Sequence, residues 1–385
     1  MTFRFACCIV LMFLASCMSE TQEPTEPSCR PQFDPVAAPL NSCLGPQRVS
    51  LTFVGDLLLH APVQKQGYAM GFESLWHEVI PFFKEADIAV ANLEGPVAAG
   101  ITRSGKKVPD PGAVFDDVVY TSYPMFNYHA SILSDLKKSG IDLVSTANNH
   151  SLDRFAVGAD ATIDALNAAS LPFTGTVKAG AERNFVTLLP SQIGNVAFLS
   201  CTFSTNGVRD RRDQVLMCYE NNDELMETIA QLAQDRDIAA VIVLTHWGSE
   251  YRHTPDAKDV QLAQELAKAG ATAVIGTHPH VVQPLDTVTT DRGVVPIVYS
   301  TGNFVSGQLG LPKETAMIAR LELCTSNQAA VVAQAGWSAA RMQRDKTQSL
   351  RVALMNRADQ YSQEAYDLTQ NIAPGYSLRP TLRCS

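Results

Sequence analysis

Short runs of Val, Ile and Leu, each ending on an acid, an amide or an imidazole, constrain this chain more than any other feature. Leu51-Thr52-Phe53-Val54-Gly55 runs into Asp56, and Ile88-Ala89-Val90-Ala91 into Asn92-Leu93-Glu94-Gly95. Leu143-Val144-Ser145-Thr146-Ala147 leads to Asn148-Asn149-His150, and Ile242-Val243-Leu244-Thr245 to His246-Trp247-Gly248. Ala273-Val274-Ile275-Gly276-Thr277 leads to His278-Pro279-His280. Brief apolar runs without polar alternation read as strands buried on both faces. Val196–Ser200 and Val294–Tyr299 read the same way. Helical patterns lie between them at Ser131–Ser139, Ala159–Ala169, Asp223–Ala233 and Asp256–Ala269, the last stopped by Gly270. Alternating strands and helices predict an α/β fold with a substantially parallel sheet. Such sheets bind ligands outside the carboxyl ends of their strands, which is where these polar residues fall.

The donors gathered there suit divalent cations of the Mn, Zn or Fe type. Asp56, Glu94, Asn149, His246, His278 and His280 are the candidate ligands. Each has a competing role. Asp56 or Glu94 can cap a helix, and Asn148 rivals Asn149 as a neutral oxygen donor. In His278-Pro279-His280 the proline favours extended geometry before it. Residues i and i+2 of an extended chain point to one side, so both rings can face one site. His150 is the candidate proton donor, because an imidazole titrates near neutral pH. Asp153 either orients that ring or starts the next helix, and the helix start is the expected role. His60 is left outside the site, and His77, His129 and His253 read as surface or packing residues.

With 385 residues and a net charge of −9, the chain is acidic and its Lys and Arg are scattered. A nucleic-acid partner is not expected, since phosphate contacts need a concentrated basic surface. No run reaches the ~18 apolar residues of a membrane span. Arg4 precedes an apolar stretch, Phe5 to Ala15, and Leu14-Ala15-Ser16-Cys17 follows the pattern of an export signal. That tetrad resembles the bacterial lipoprotein signal, in which the cysteine is lipidated. Residues 1–16 are therefore expected as signal, Cys17 as the lipid attachment site and 17–47 as a polar, Pro-rich tether. Met18 after the cysteine favours the outer membrane, facing the periplasm, where two membranes exist. Of nine cysteines, Cys7 and Cys8 leave with the signal and Cys17 carries lipid. Six remain for disulfides in an oxidising compartment. Proximity pairs Cys29 with Cys43 and Cys201 with Cys218, leaving Cys324 with Cys384. Thr102–Asp117 reads as an exposed loop. Strands at Thr315–Cys324 and Gln328–Gln334 and a helix at Asn356–Leu368 complete one domain spanning 48–385.

The motifs, in order, resemble the CapA family, the poly-γ-glutamate capsule synthesis proteins, a divergent branch of the calcineurin-like metallophosphoesterases. The matching stretches are Phe53-Val54-Gly55-Asp56, Ala91-Asn92-Leu93-Glu94 and Ala147-Asn148-Asn149-His150-Ser151-Leu152-Asp153. His246-Trp247-Gly248-Ser249-Glu250-Tyr251, Gly276-Thr277-His278-Pro279-His280-Val281-Val282-Gln283 and Tyr299-Ser300-Thr301-Gly302-Asn303-Phe304-Val305 complete them. The resemblance implies a metallophosphatase-like sandwich of two mixed β-sheets flanked by helices, four layers in α-β-β-α order. It implies one or two divalent cations, with Asp56 and His280 serving the first, and Asn149, His246 and His278 the second. Glu94 stands at the bridge, and His150 assists the leaving group. Two residues depart from the pattern: the usual Asp-x-His is Asp56-Leu57-Leu58, and the usual bridging Asp is Glu94. The implied function is a metal-dependent hydrolase of phosphoester or polymer bonds, active in capsule or poly-γ-glutamate-type exopolymer synthesis or turnover. Its partners would be an anionic envelope polymer or phosphoester, the membrane through the lipid, and an exopolymer synthesis complex. The alternative is a non-catalytic exopolymer assembly or binding factor with a degenerate metal site.

Overall fold

The computed structural model describes residues 1–2, 29–34, 39–326, 329–346, 349–354 and 360–384, with side chains left undescribed at 29–34, 360–362 and 379–384. Most of the expected signal, with Cys17, lies outside the described residues. The strands, in chain order, are β1 (Cys29–Asp34), β2 (Val49–Leu58), β3 (Ile88–Asn92), β4 (Leu143–Ser145), β5 (Phe173–Thr174), β6 (Thr187–Ser191), β7 (Gly194–Thr202) and β8 (Ile238–His246). They continue with β9 (Ala273–Thr277), β10 (Leu285–Thr290), β11 (Gly293–Val298), β12 (Asn303–Ser306), β13 (Thr315–Thr325), β14 (Ala330–Arg344), β15 (Leu350–Leu354) and β16 (Arg379–Cys384).

They form two large sheets. One runs β15-β14-β13-β2-β3-β4-β5, with β12 also paired to β2; the other runs β10-β11-β9-β8-β7-β6. Both are mixed. β2, β3, β4 and β5 are parallel, as are β7, β8, β9 and β11, while β13, β14 and β15 add antiparallel pairs. A small antiparallel sheet of β1 and β16 sets Cys29 opposite Cys384 in backbone register.

Period-two alternation explains the layers. Leu51, Phe53, Ile88 and Val90 of one sheet meet Phe198, Ile242, Leu244 and Ile275 of the other in a shared core. Their neighbours Val54, Ala89, Ala91 and Val144 face outward against Trp76, Phe83, Ile132 and Leu136 of the covering helices. On the far side Val241, Val243 and Val274 meet Leu225, Ile229, Leu262 and Leu266 of helices Asn222–Gln234 and Ala257–Ala269. This is the expected four-layer order. Helix Ser131–Ser139 has the expected bounds, and its Gly140 cap adopts φ 98°. Helix Phe155–Ala169 begins a turn earlier than its apolar pattern suggests. Helices Ala61–Met70 and Ile80–Glu85, and strands β6, β10 and β15, were not anticipated.

Two disulfides are described, Cys43–Cys324 and Cys201–Cys218. The second is the expected pair. The first overturns Cys29–Cys43 and Cys324–Cys384. Residues 39–44 lie along β13 and β14, with Leu40 N–H donating to Ala333 and Leu44 N–H to Thr325. That path carries Cys43 to Cys324 across a sequence separation of 281. Residues 29–34 and 39–44 therefore pair with strands, although both fall in the stretch expected as a tether. Among the described residues no helix is long and apolar enough to cross a membrane.

Candidate metal centre

Close backbone packing sets the strand ends. A Cβ on Gly55 would lie 1.8 Å from the carbonyl oxygen of Gly302, so the chain from 301 to 302 can cross only over glycine. That carbonyl accepts the Asp56 N–H at 3.1 Å. Gly276 meets the same constraint, 2.1 Å from the oxygen of Tyr299. Asp56 is thus held at the end of β2 and caps no helix. Its Oδ1 accepts from Asn92 Nδ2 at 2.8 Å, and its Oδ2 lies 3.0 Å from His280 Nδ1.

Glu94 follows β3 in a tight turn. The Tyr128 hydroxyl donates to its carbonyl at 2.5 Å and accepts the Leu59 N–H at 3.2 Å. The Glu94 carboxylate is fully buried, yet neither oxygen has a hydrogen-bond partner among the described residues. His246 Nε2 lies 3.5 Å and His280 Nε2 3.9 Å from its Oε1. His246 also meets Thr277 Oγ1 through Nδ1 and Asn149 Oδ1 through Nε2, each at 3.0 Å. His278 has a buried Nδ1 with no hydrogen-bond partner among the described residues. Its ring centroid lies 4.4 Å from Phe203, 4.8 Å from His246 and 5.6 Å from His280.

Three groups of donor atoms, each within 4.8 Å of one another, result: Asp56 with Glu94 and His280, Glu94 with His246 and His278, and Glu250 with His278 and His280. Glu94 is common to the first two. Burial drives the Glu94 carboxyl well above its usual range, and Asp56 and Glu250 add to that. Burial drives the His246 and His278 imidazoles well below theirs, aided by neighbouring imidazoles. Neutral imidazoles around an unpartnered buried carboxylate leave lone pairs unused, and an isolated buried polar group is costly. The residues fit divalent cations, and the nitrogen and oxygen donor set suits Mn, Zn or Fe.

The His278-Pro279-His280 rings do converge, though not by the expected route. His278 has φ 99° and His280 φ 58°, so neither is extended. Positive φ at two bulky residues is strained backbone, which the surrounding packing must overcome.

His150 lies beside this group. Its Nδ1 is 2.7 Å from Asp153 Oδ2, which also accepts the Phe126 N–H at 2.6 Å. A carboxylate accepts only, so Nδ1 carries hydrogen and Nε2 is left for exchange. Asp153 therefore orients the ring; the helix starts at Phe155, contrary to the expected role. Asn148 is committed to structure, donating to the Leu93 carbonyl at 2.8 Å and accepting the His150 N–H at 3.2 Å. Asn149 is the amide that faces His246. His60 packs its edge on Phe126 and accepts the Gly307 N–H at 3.2 Å. His77 is exposed, and His253 lies 2.8 Å from the Val282 carbonyl.

Glu250 was not singled out from the sequence, although it stands four residues after His246 in a quoted motif. Two lysines near the rim were also missed. Lys258 Nζ lies 5.8 Å above Phe203, the ring packed on His278, and Lys313 Nζ lies 5.4 Å above Tyr251, whose ring is 6.1 Å from His280.

Residues 50–308 match the family described as bacterial capsule synthesis protein PGA_cap. The chain belongs to that family. Similar members include the capsule biosynthesis protein CapA of Bacillus anthracis, 27% identical over 274 residues, covering 68% of this chain and 61% of that protein. The PGA biosynthesis protein CapA of Bacillus subtilis is 26% identical over 263 residues, covering 68% and 64%. A probable polyglutamine synthesis accessory protein of Mycobacterium tuberculosis is 27% identical over 265 residues, covering 64% and 63%. The chain thus spans less than two thirds of the length of these PGA_cap relatives. Among solved structures, it is similar to the calcineurin-like phosphoesterase YfkN of Bacillus subtilis, with a TM-score of 0.45 and 14% identity, covering 84% of this chain and 97% of that one. The NAD nucleotidase of Haemophilus influenzae gives a TM-score of 0.48 and 10% identity, covering 85% and 57%.

Proposed function

We propose that this protein is a lipid-anchored envelope hydrolase that depends on divalent metal and acts in synthesis or turnover of a capsule or poly-γ-glutamate-type exopolymer. The observation that supports this most is Glu94, a buried carboxylate with both oxygens unpartnered among Asp56, His246, His278 and His280. In this reading Asp56, Glu94 and His280 hold one cation, and Glu94, Asn149, His246 and His278 hold a second. Cations held there would supply Lewis-acid polarisation of the substrate and would lower the pKa of water. The chain's own residues do the rest. His150, oriented by Asp153 through Nδ1, passes a proton through Nε2 to the leaving atom of the substrate. Asn92 holds Asp56 in register through its 2.8 Å bond. Lys258 and Lys313, on aromatic rings either side of the imidazoles, would draw a repeating anionic chain across the centre. Cys17 is the proposed lipid attachment site.

The test is metal analysis of the purified full chain, together with hydrolysis assays on a phosphodiester reporter and on a γ-glutamyl polymer. Bound metal and metal-dependent turnover of either are expected. Leu58, standing where the resemblance implies an imidazole, favours the second reading, a non-catalytic assembly factor. Absence of turnover with Mn, Zn and Fe alike would select it.

A further inference from the structure

Glu250 carries a role that neither the motif pattern nor the ligand set above assigns. The turn that follows His246, with Gly248 at φ 89°, brings its carboxylate within 4.8 Å of ligand atoms on both His278 and His280. Those two rings belong to different donor groups, so Glu250 is, after Glu94, a second acid placed between the two halves of the centre. It is also the exposed member of its group, while His278 and His280 are buried. The Glu94 carboxyl oxygens and the Nδ1 of His278, both buried, have no hydrogen-bond partner among the described residues. At the end of β2, Asp56-Leu57-Leu58 supplies one donor where an Asp-x-His would supply two. Leu57 and Leu58 are instead buried in the apolar layer under the helices, so β2 has no further ligand to offer. The rim has one. Tyr251, next in the chain, is braced by the Gln308 amide donating to its hydroxyl at 3.2 Å and by Lys313 above its ring. The end of this turn is also fixed, with the Tyr251 N–H donating to the Pro279 carbonyl at 2.8 Å.

We propose that Glu250 is a metal ligand supplied from the solvent side, which makes up for the donor missing at β2 and lets the centre take a second cation. The inference rests on the reading that Asp56, Glu94 and the imidazoles hold metal. A carboxylate on an exposed turn can also swing aside when an anionic substrate arrives, which a buried imidazole cannot do.

The experiment is Mn²⁺ titration of the purified, metal-stripped full chain, followed by calorimetry and by electron paramagnetic resonance. Wild type should take two equivalents and give the spectrum of a magnetically coupled pair. Glu250→Gln, at an exposed position, should leave the unfolding temperature of the stripped protein in place. It should weaken the second equivalent by ~10–100-fold, the size seen when a ligand's support is removed, and leave the spectrum of an isolated ion. Glu227→Gln, an exposed acid on helix Asn222–Gln234, should retain both equivalents. Two equivalents of unchanged affinity in Glu250→Gln would overturn this proposal alone. Equal weakening in Glu227→Gln would overturn it too, reducing the effect to net charge. A wild-type chain that takes one Mn²⁺ would also overturn it, and one that takes none would remove the metal reading with it.

Discussion

The two sheets contribute different chemistry to one centre. The eight-stranded sheet delivers oxygen, through Asp56 on β2, Glu94 after β3 and Asn149 after β4. The six-stranded sheet delivers nitrogen, through His246 on β8 and His278 and His280 after β9. The two groups that contain Glu94 draw on both sheets and arise where their carboxyl ends meet, whereas Glu250, His278 and His280 all follow strands of the six-stranded sheet. The sheets are also fastened separately. Cys43–Cys324 belongs to the first and Cys201–Cys218 to the second. Polar bonds cross between them, among them Ser145 Oγ to Ser200 Oγ at 2.6 Å, Thr174 Oγ1 to the Phe198 carbonyl at 3.2 Å, Asn149 to His246, Asp56 to His280, and those of Asn41. The Asn41 amide donates to Val294 of β11 and to Val332 of β14, both at 2.8 Å. A centre built this way ties its two halves together when loaded.

The largest effect should separate the two fastenings. Chain entropy assigns about 6 kcal/mol to closing the Cys43–Cys324 loop and about 3 to Cys201–Cys218. Denaturant melts of Cys43→Ser with Cys324→Ser should therefore lose more stability than those of the other pair. An equal loss would deny the eight-stranded sheet its dependence on residues 39–44.

Next is His150, on the oxygen side but outside the ligand groups. His150→Ala should lower turnover by ~10²–10⁴-fold while metal content stays at the wild-type value. Loss of metal in the same protein would make it a ligand and shift the boundary between donors and acid.

Metal removal tests the tie itself. Chelation should lower stability by about 2.7 kcal/mol if metal is supplied at about 100 times its Kd, read as a fall in unfolding temperature. Asn41→Ala should cost about 1–3 kcal/mol in denaturant melts, since it strands the Val294 N–H and two carbonyls. That loss should be larger in the chelated protein, where Asn41 bears more of the junction.

The last effect, at His60, is confined to acid pH and vanishes at neutral pH. Burial, with His280 and His150 nearby, pushes its imidazole down to about 4 from 6.5. The folded state thus disfavours the proton that the unfolded chain accepts. This contribution to stability is whole above pH 6.5 and is lost as pH falls toward 4. His60→Gln should flatten the fall of unfolding temperature across that window.

The strand ends were legible because burial on both faces writes uninterrupted Val, Ile and Leu, and the first polar residue marks the exit. Asp56, Glu94, Asn149 and three histidines were read that way. Asn149 over Asn148 was not decided by residue type; two backbone partners commit Asn148 and leave Asn149 beside His246. The converging rings of His278 and His280 were anticipated through an extended dipeptide, but local strain at positive φ produces them. Asp153 carried a helix-start signal as good as any, and only the fold sets it 2.7 Å from His150. Glu250 was not singled out, because nothing local marks a side chain that returns to the rim.

What the sequence determined by itself is local: the buried strands and the amphipathic helices between them, where those strands stop, and which donor types stand at those ends. These follow from side-chain period and chain stiffness over a few residues. The tertiary structure alone decided which ends meet and which cysteines pair. His280 lies beside Asp56 across a separation of 224 residues, and Cys43 beside Cys324 across 281. Such neighbours are set by how the two sheets bury their shared core, an energy that belongs to the packed whole and to no segment of it.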